Sequence, residues 1–384
     1  MRNDLKLDEL AADMRAWRHD IHQHPELGFN EHRTSAKVAD LLRSWGIDVH
    51  TGLGGTGVVG TIQGNLGPGP TIGFRADMDA LPMQEKTDLP YRSTHGDVFH
   101  GCGHDGHTAI VLGVAKYLSE WRAFRGTVRL IFQPAEETLR GGPRMIEDGL
   151  FEQFPCDEIY ALHNNNLVPA GKIGVRAGAL LAACAMFRIT IKGIGSHAAM
   201  PDKGIDPIVA GAGLVQALQS IVSRNIDPLA SGVVSICKFQ AGTAINVIPD
   251  TAVLEGTIRA LGLELQDHII ARLREICAGA ATTYDCDITF ELLQSAPPTM
   301  NAEGPTETVR LAAERVVGAQ NVINNATPVM AAEDFAFMLQ RCPGSYFYLG
   351  HDGLTCHHPQ FVFDDESMPT GAAVFIEIVR QRLA

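Results

Sequence analysis

The sequence predicts an α/β fold: a mixed, largely parallel sheet flanked by helices, with a smaller α+β domain inserted into it. Three observations predict this. Short runs rich in β-branched or apolar residues, at Thr71 to Arg75, Thr127 to Phe132 and Glu158 to His163, alternate with helical patterns at 105–122 and 141–150. Further along, the pattern changes to strand, helix, strand, strand, helix, strand before it returns to the first type. The chain is also 384 residues long, beyond the usual span of one core, so two domains are expected.

Residues 5 to 45 read as helical, with apolar side chains recurring at three- and four-residue steps, and Gly46 is the stop. Gly52-Leu-Gly54-Gly-Thr-Gly57 satisfies the dinucleotide-binding fingerprint. That fingerprint needs a helix behind the loop, whereas Val58 to Gln63 continues as a strand, so the glycines are read as a hairpin turn. The inserted segment runs as a strand at Met186 to Lys192, a helix at 205–224, strands at Gly232 to Phe239 and Thr251 to Arg259, a helix at 263–282 and a strand at Cys286 to Glu291. This is the order of the split-βαβ, ferredoxin-like fold. Ala296-Pro297-Pro298 marks the exit, after which come a helix, a strand at Ser345 to Gly350 and a last helix at 367–383. The first domain is thus expected at 1–181 and 296–384, and the insert at 182–295.

Charge and composition exclude several classes. Lys plus Arg is 31 against 44 for Asp plus Glu, a net charge of −13, the opposite of a nucleic-acid footprint. The longest apolar run, Ala179 to Phe187, is nine residues, against the roughly 18 that a membrane span needs, so no membrane partner is expected. Met1 to Asp20 lacks the basic start and apolar run of a signal peptide, which predicts a cytoplasmic protein. The eight cysteines are scattered, with no Cys-x-x-Cys pair, and are expected to be reduced.

Chemistry concentrates at strand ends. His100-Gly-Cys102-Gly-His104-Asp105-Gly-His107 packs three histidines, a thiol and a carboxylate ahead of a helix, and its glycines permit tight backbone geometry. A lone histidine is by default structural; this density favours a metal. Gln133-Pro-Ala-Glu136-Glu137 ends an apolar strand, where a carboxylate pair can divide labour, one binding a metal and its neighbour accepting a proton. His163 ends a third strand, and Cys356-His357-His358 follows a fourth. Thiolate, imidazole and carboxylate from several strand ends suit a dinuclear site for a borderline ion, zinc, manganese, cobalt or nickel, rather than calcium or magnesium.

Long motifs in a fixed order carry a resemblance over nearly the whole chain. They are His22-Gln-His-Pro-Glu-Leu27, Arg75-Ala-Asp-Met-Asp-Ala-Leu-Pro82, Gly101-Cys-Gly-His-Asp-Gly-His107, Gln133-Pro-Ala-Glu-Glu137, Gly195-Ser-His-Ala-Ala-Met-Pro201, Gly242-Thr-Ala-Ile-Asn-Val-Ile-Pro249 and Glu333-Asp-Phe335. With them the sequence resembles the metal-dependent amidohydrolases and metallopeptidases that include aminoacylase, hippurate hydrolase, the indoleacetyl-amino-acid hydrolases and N-acetyldiaminopimelate deacetylase. The resemblance implies two divalent metal ions per subunit, held by Cys102, His104, Glu137, His163 and His357, with Glu136 as general base and Asp77 orienting a ligand. The related motif usually has leucine before its late histidine. Cys356 stands there instead, and His358 beside His357 is a rival for the ligand position. The resemblance further implies a catalytic first domain and a dimerising insert, in a homodimer or homotetramer. His197 would reach a partner's site to polarise the scissile carbonyl, and Asn246 and Arg259 would hold a substrate carboxylate.

The expected activity is hydrolysis of an N-acyl amino acid to a carboxylic acid and a free amino acid, with a dipeptidase or carboxypeptidase of the same family as the alternative. A thiol amidase using Cys102 with His104 or His107 is a third reading, separated by chelation. Neither Gly-x-Ser-x-Gly nor His-Glu-x-x-His occurs, so serine hydrolase and thermolysin-like readings lack support.

Overall fold

The computed structural model describes residues 7–384. From edge to edge its larger sheet runs Asp48–Leu53, Gly57–Gln63, Thr127–Gln133, Thr71–Asp77, Glu158–Asn165, Gly344–Gly350, Ile173–Val175 and Val322–Asn324. The four central strands pair in parallel, with Asp77 opposite Gln133, Arg75 opposite Ala161 and Tyr348 opposite His163. Their C-terminal ends therefore share one edge, where open α/β sheets expose loops to ligands. Antiparallel pairing enters at Asp48–Leu53 with Gly57–Gln63, at Gly57–Gln63 with Thr127–Gln133, and between Gly344–Gly350 and Ile173–Val175. The first of these is the hairpin expected from the glycine run.

Burial on both faces explains why the central strands read as continuous apolar runs. Phe74, Leu130, Phe132, Tyr160 and Phe347 are all buried, against Ile110, Val114, Leu118, Val309, Phe375 and Val379 from the helices His104–Glu120, Glu303–Val317 and Met368–Arg382. Each such side chain contributes about 1.5–3 kcal/mol by leaving water.

The first helical region differs from its expectation. It is two helices, Leu7–Gln23 and His32–Ser44, rather than one run, and residues 5 and 6 lie outside the described residues. Pro25 is the cause, because it lacks an N–H and disfavours helix in the residue before it. Gly46 does end the second helix: at φ 68° it is left-handed, and its N–H donates to Arg43 O while Ile47 N–H donates to Leu42 O. The expected helix at 141–150 is likewise divided, into Gly141–Glu147 and Leu150–Gln153, around Gly149 at φ 92°.

The chain folds as two units. Described residues through Leu180 with Thr299–Thr327 and Glu333–Ala384 form one, and Leu181–Pro298 with Pro328–Ala332 form the other. In the second unit the sheet order is Gly232–Ala241, Thr251–Ala260, Ala183–Lys192, Asp287–Ala296, every neighbour antiparallel. The helices Pro207–Ser220 and Leu263–Tyr284 bury Ala210, Leu214, Ile269 and Leu273 against Phe187, Ile189, Leu254 and Ile258 of that sheet. Asp206 caps the first of these helices by accepting the Ile208 N–H at 2.8 Å. The short run Pro328–Ala332 joins this unit through Ala182 N–H to Ala331 O at 2.9 Å.

Candidate active site

All the groups of the expected metal site lie in the first unit, at the shared C-terminal edge of its parallel strands. His104 opens the helix His104–Glu120 behind Gly103, which sits at φ 99°. A Cβ on Gly103 would stand 2.3 Å from Asn164 Oδ1, so only glycine permits this approach. The strand Thr127–Gln133 delivers Glu136 and Glu137 through a left-handed turn at Ala135, φ 52°. Glu31 secures that turn, accepting the Ala135 N–H at 2.8 Å and the Thr56 hydroxyl at 2.6 Å. Asp79 accepts the Glu137 N–H at 3.0 Å. Ala135, Leu139 and His357 are three of the six non-glycine residues with positive φ among the described residues, so backbone strain gathers at this edge.

Among the described residues five groups of donor atoms have their atoms within 4.8 Å of one another; three carry the expected ligands, namely Cys102, His104 and His163; Cys102, Glu137 and His357; and His104, Glu136 and Glu137, and the other two are Asp77, His104 and His107, and Glu136, Glu333 and Asp334. Cys102 Sγ lies 3.4 Å from His163 Nε2, His357 Nε2 is 3.4 Å from Glu137 Oε2, and His104 Nε2 is 3.9 Å from Glu137 Oε1. Two tetrahedral ligands held about 2.0–2.3 Å from one ion lie about 3.3–3.8 Å apart, close to these separations. His104 Nε2 and Glu137 Oε1 are buried with no hydrogen-bond partner, which is costly unless something else satisfies them. The donor set therefore fits a pair of divalent ions. His357 and His358 are separated by geometry: His357 reaches Glu137, whereas His358 Nδ1 accepts the Gln360 N–H of its own loop at 3.1 Å.

Electrostatics split the two adjacent glutamates. Burial, reinforced by Glu333, Glu137 and Asp334, drives Glu136 well above the carboxylate range, although His104 opposes it. Burial also pushes Glu137 up, but the hydrogen bond from His357 and the charge of His104 outweigh it, and its pKa is lowered. Two neighbouring carboxyls pushed in opposite directions suit two different tasks. At His104, burial opposes protonation, yet Asp77, Asp79 and Glu137 overcome it and raise the pKa well above the usual value. The same negative field that holds a proton there attracts a cation.

Asp77 contacts His107 Nδ1 at 2.7 Å and accepts from Arg75 Nη1 at 2.6 Å, and it is 3.9 Å from His104 Nε2. Its nearest histidine is thus His107, which is not one of the expected ligands. His107 Nε2 lies 2.8 Å from Asn164 Oδ1. The sequence reading missed Glu31 and Asn164, and it quoted Arg75, Asp79, Glu333 and Asp334 without giving them roles. Arg75, fully buried, donates to Glu333 Oε1 at 2.8 Å and Asp334 Oδ1 at 3.1 Å, tying that acidic pair to the strand that carries Asp77. One signal was available: Asp77 and Asp79 alternate at the end of a strand, which aims both the same way.

Cys102 and His163 are close enough for a thiol–imidazole pair, but their surroundings oppose ionisation of that pair. The Cys356 hydrogen bond and burial raise the Cys102 pKa well above the ordinary value, while burial and His107 hold His163 well below its own. A nucleophilic cysteine needs the reverse.

His197, Asn246 and Arg259 lie in the second unit. His197 and Val247 pair across two short strands, and the Ala198 N–H donates to Asn246 O at 3.1 Å. His197 Nδ1 accepts the Ala199 N–H at 3.0 Å, which leaves the neutral ring's proton on Nε2. Arg259 donates to Ile258 O at 3.0 Å and to the Thr257 hydroxyl, and no carboxylate among the described residues pairs with it.

Residues 73–381 match the model of peptidase family M20/M25/M40. The chain is 41% identical over 377 residues to the hippurate hydrolase of Campylobacter jejuni, covering 98% of each. It is 40% identical over 364 residues to an N-acetylcysteine deacetylase of Bacillus subtilis, covering 94% of each. Among solved structures, a dinuclear metal-binding peptidase of the M20 family from Bacillus subtilis superposes with a TM-score of 0.86 at 34% identity, covering 98% of this chain and 99% of that one. The chain belongs to peptidase family M20/M25/M40, as its motifs implied.

Proposed function

We propose that this protein hydrolyses the amide bond of N-acyl amino acids, releasing a carboxylic acid and a free amino acid. The observation that carries the reading is the three overlapping donor clusters joined at Cys102, His104 and Glu137, with the differently tuned carboxyl of Glu136 beside them. Cys102, His104, Glu137, His163 and His357 would hold two divalent ions, zinc or manganese, with cobalt or nickel as further candidates. Bound there, such ions act as Lewis acids toward the amide carbonyl and make water more acidic. Glu136 takes the proton of the attacking water and hands it to the departing nitrogen. Its burial among Glu333 and Asp334 raises its proton affinity, the direction that favours taking up the water proton. Asp77 holds His107 and, through Arg75, the acidic pair at 333–334, and so fixes the wall behind the reacting groups.

His197 is the proposed carbonyl donor, supplied by a partner subunit; its Nε2–H tautomer suits that role, which typically supports about 10²–10³ in rate. Asn246 and Arg259 are the proposed carboxylate binders, and the lack of a carboxylate partner for Arg259 among the described residues supports this. The working assembly is a homodimer or a homotetramer. Chelated protein reloaded with each metal in turn, assayed against benzoyl, acetyl and indoleacetyl amino acids and against dipeptides, tests the reading. Release of free amino acid from the N-acyl substrates is expected. Activity confined to dipeptides, or undiminished by chelation, would refute it.

A further inference from the structure

The proposed mechanism leaves one nucleophile beside the site unused, the thiol of Cys356. It lies on the loop after the strand Gly344–Gly350, next to His357. The His357 N–H donates to the Gly101 carbonyl at 2.8 Å, so a single backbone hydrogen bond separates the segment of Cys356 from that of Cys102. A disulfide needs its two Cα atoms about 4.4–6.8 Å apart, which requires backbones that run this near to each other. The Cys356 S–H points back at the Cys102 carbonyl at 3.5 Å, so its sulfur lies against the backbone of Cys102. Asn164 holds the second sulfur in place, donating from Nδ2 to Cys356 Sγ at 3.3 Å while its Oδ1 meets His107 Nε2 at 2.8 Å. Cys356 joins none of the donor clusters among the described residues, whereas Cys102 belongs to two of them.

The geometry points to a covalent modification site: in the metal-free protein Cys102 and Cys356 are joined as a disulfide by a peroxide, which withdraws Cys102 from the metal centre. This rests on Cys102 being a ligand, as proposed above. One sulfur, as thiolate, attacks the O–O bond, giving a sulfenic acid and hydroxide; the other thiol attacks that sulfur, forming the S–S bond and releasing water. The hydroxide takes up the proton lost by the first thiol. Overall, two thiols and one peroxide become one disulfide and two waters.

The test treats chelated and metal-loaded protein with about one equivalent of hydrogen peroxide, then measures intact mass, cross-linked peptides without reductant, and subsequent metal uptake. Chelated protein should lose about 2 Da, yield a peptide joining Cys102 to Cys356, and take up metal only after a thiol reductant is added. Loaded protein should oxidise at least about tenfold more slowly, since a ligating sulfur is shielded. Cys356→Ser should give no such peptide and should instead gain one oxygen at Cys102, a sulfenic acid that the thiol reductant reverses. A chelated wild-type protein without the Cys102–Cys356 peptide, or with the link at another pair, such as Cys342 and Cys156, where the Cys342 S–H donates to the Cys156 carbonyl at 3.2 Å, would overturn the inference while leaving Cys102 as a ligand. Disulfide-bearing protein with undiminished metal uptake would overturn the ligand role of Cys102 and with it the consequence drawn here.

Discussion

Replacing Glu136 by glutamine keeps the shape of the side chain and removes its acid–base chemistry. Two effects of opposite sign follow. Loss of a general base that also returns the proton typically costs 10²–10⁴ in rate, about 3–5.5 kcal/mol of transition-state stabilisation. Metal content should persist, because Cys102, His104, Glu137, His163 and His357 are untouched. The stability of the metal-free protein should rise. Glu136 is buried beside Glu333, Glu137 and Asp334, which hold its folded pKa well above the value in the unfolded chain. Below the unfolded pKa both states carry the proton. As pH rises above it, the unfolded chain releases the proton and the folded one does not, so the native state loses up to about 1.4 kcal/mol per pH unit until its own pKa is reached. Glutamine has no proton to release. Chelated Glu136→Gln should therefore unfold at higher urea than chelated wild type at pH 8, with a smaller gap at pH 5. Hydrolysis of an N-acyl amino acid, metal content by mass spectrometry and urea titrations at the two pH values give the three readings. Near-normal turnover would remove the assigned base, and a less stable metal-free variant at pH 8 would refute the charge argument.

Other predictions test the surroundings of the site. Gly103→Ala places a Cβ 2.3 Å from Asn164 Oδ1 at a backbone φ of 99°, and should cost about 2–4 kcal/mol of stability, read as a lower urea midpoint; an unchanged midpoint would count against the packing described. Burial opposes protonation of His22, but its hydrogen bond to Asp105, the Asp105 charge and Glu85 raise its pKa above the unfolded value. Its contribution is thus full below pH 6.5 and fades as pH rises through the folded pKa, so the stability gap between wild type and His22→Gln should be wider at pH 6 than at pH 9, and a gap that widens with pH contradicts the sign. His357→Ala should lower metal stoichiometry or affinity while His358→Ala should not, measured by titration calorimetry on chelated protein; the opposite ranking would exchange the two residues.

Much of the site was legible because its residues sit where local pattern changes. The apolar runs read to Arg75, Phe132 and His163 are strands that stop at polar residues, Asp77, Gln133 and Asn165 in the structure, and parallel strands must place such ends on one edge. The Gly-Cys-Gly-His repeat announces tight geometry without long-range information. Glu31 is different. It lies over a hundred positions before Ala135, in a segment that reads as helix, and only the folded chain turns its carboxylate onto that N–H. The break after Gln23 was written in Pro25 but outweighed by the helical periodicity around it. Between His357 and His358, adjacent and chemically identical, the order of residues favoured His357 only through the family motif.

By itself, then, the amino-acid order determined the kinds of element, the two types of alternation and the inventory of ligating groups, because periodicity, turn residues and motif spacing are properties of neighbouring positions. Only the tertiary structure decided which groups meet, which of two histidines turns toward Glu137, and why Glu136 and Glu137, one residue apart, are driven in opposite directions. The physical reason is that burial and Coulomb interaction depend on distance in space, and the partners that set them, Glu333, His357 and Asp77, are supplied by remote parts of the chain.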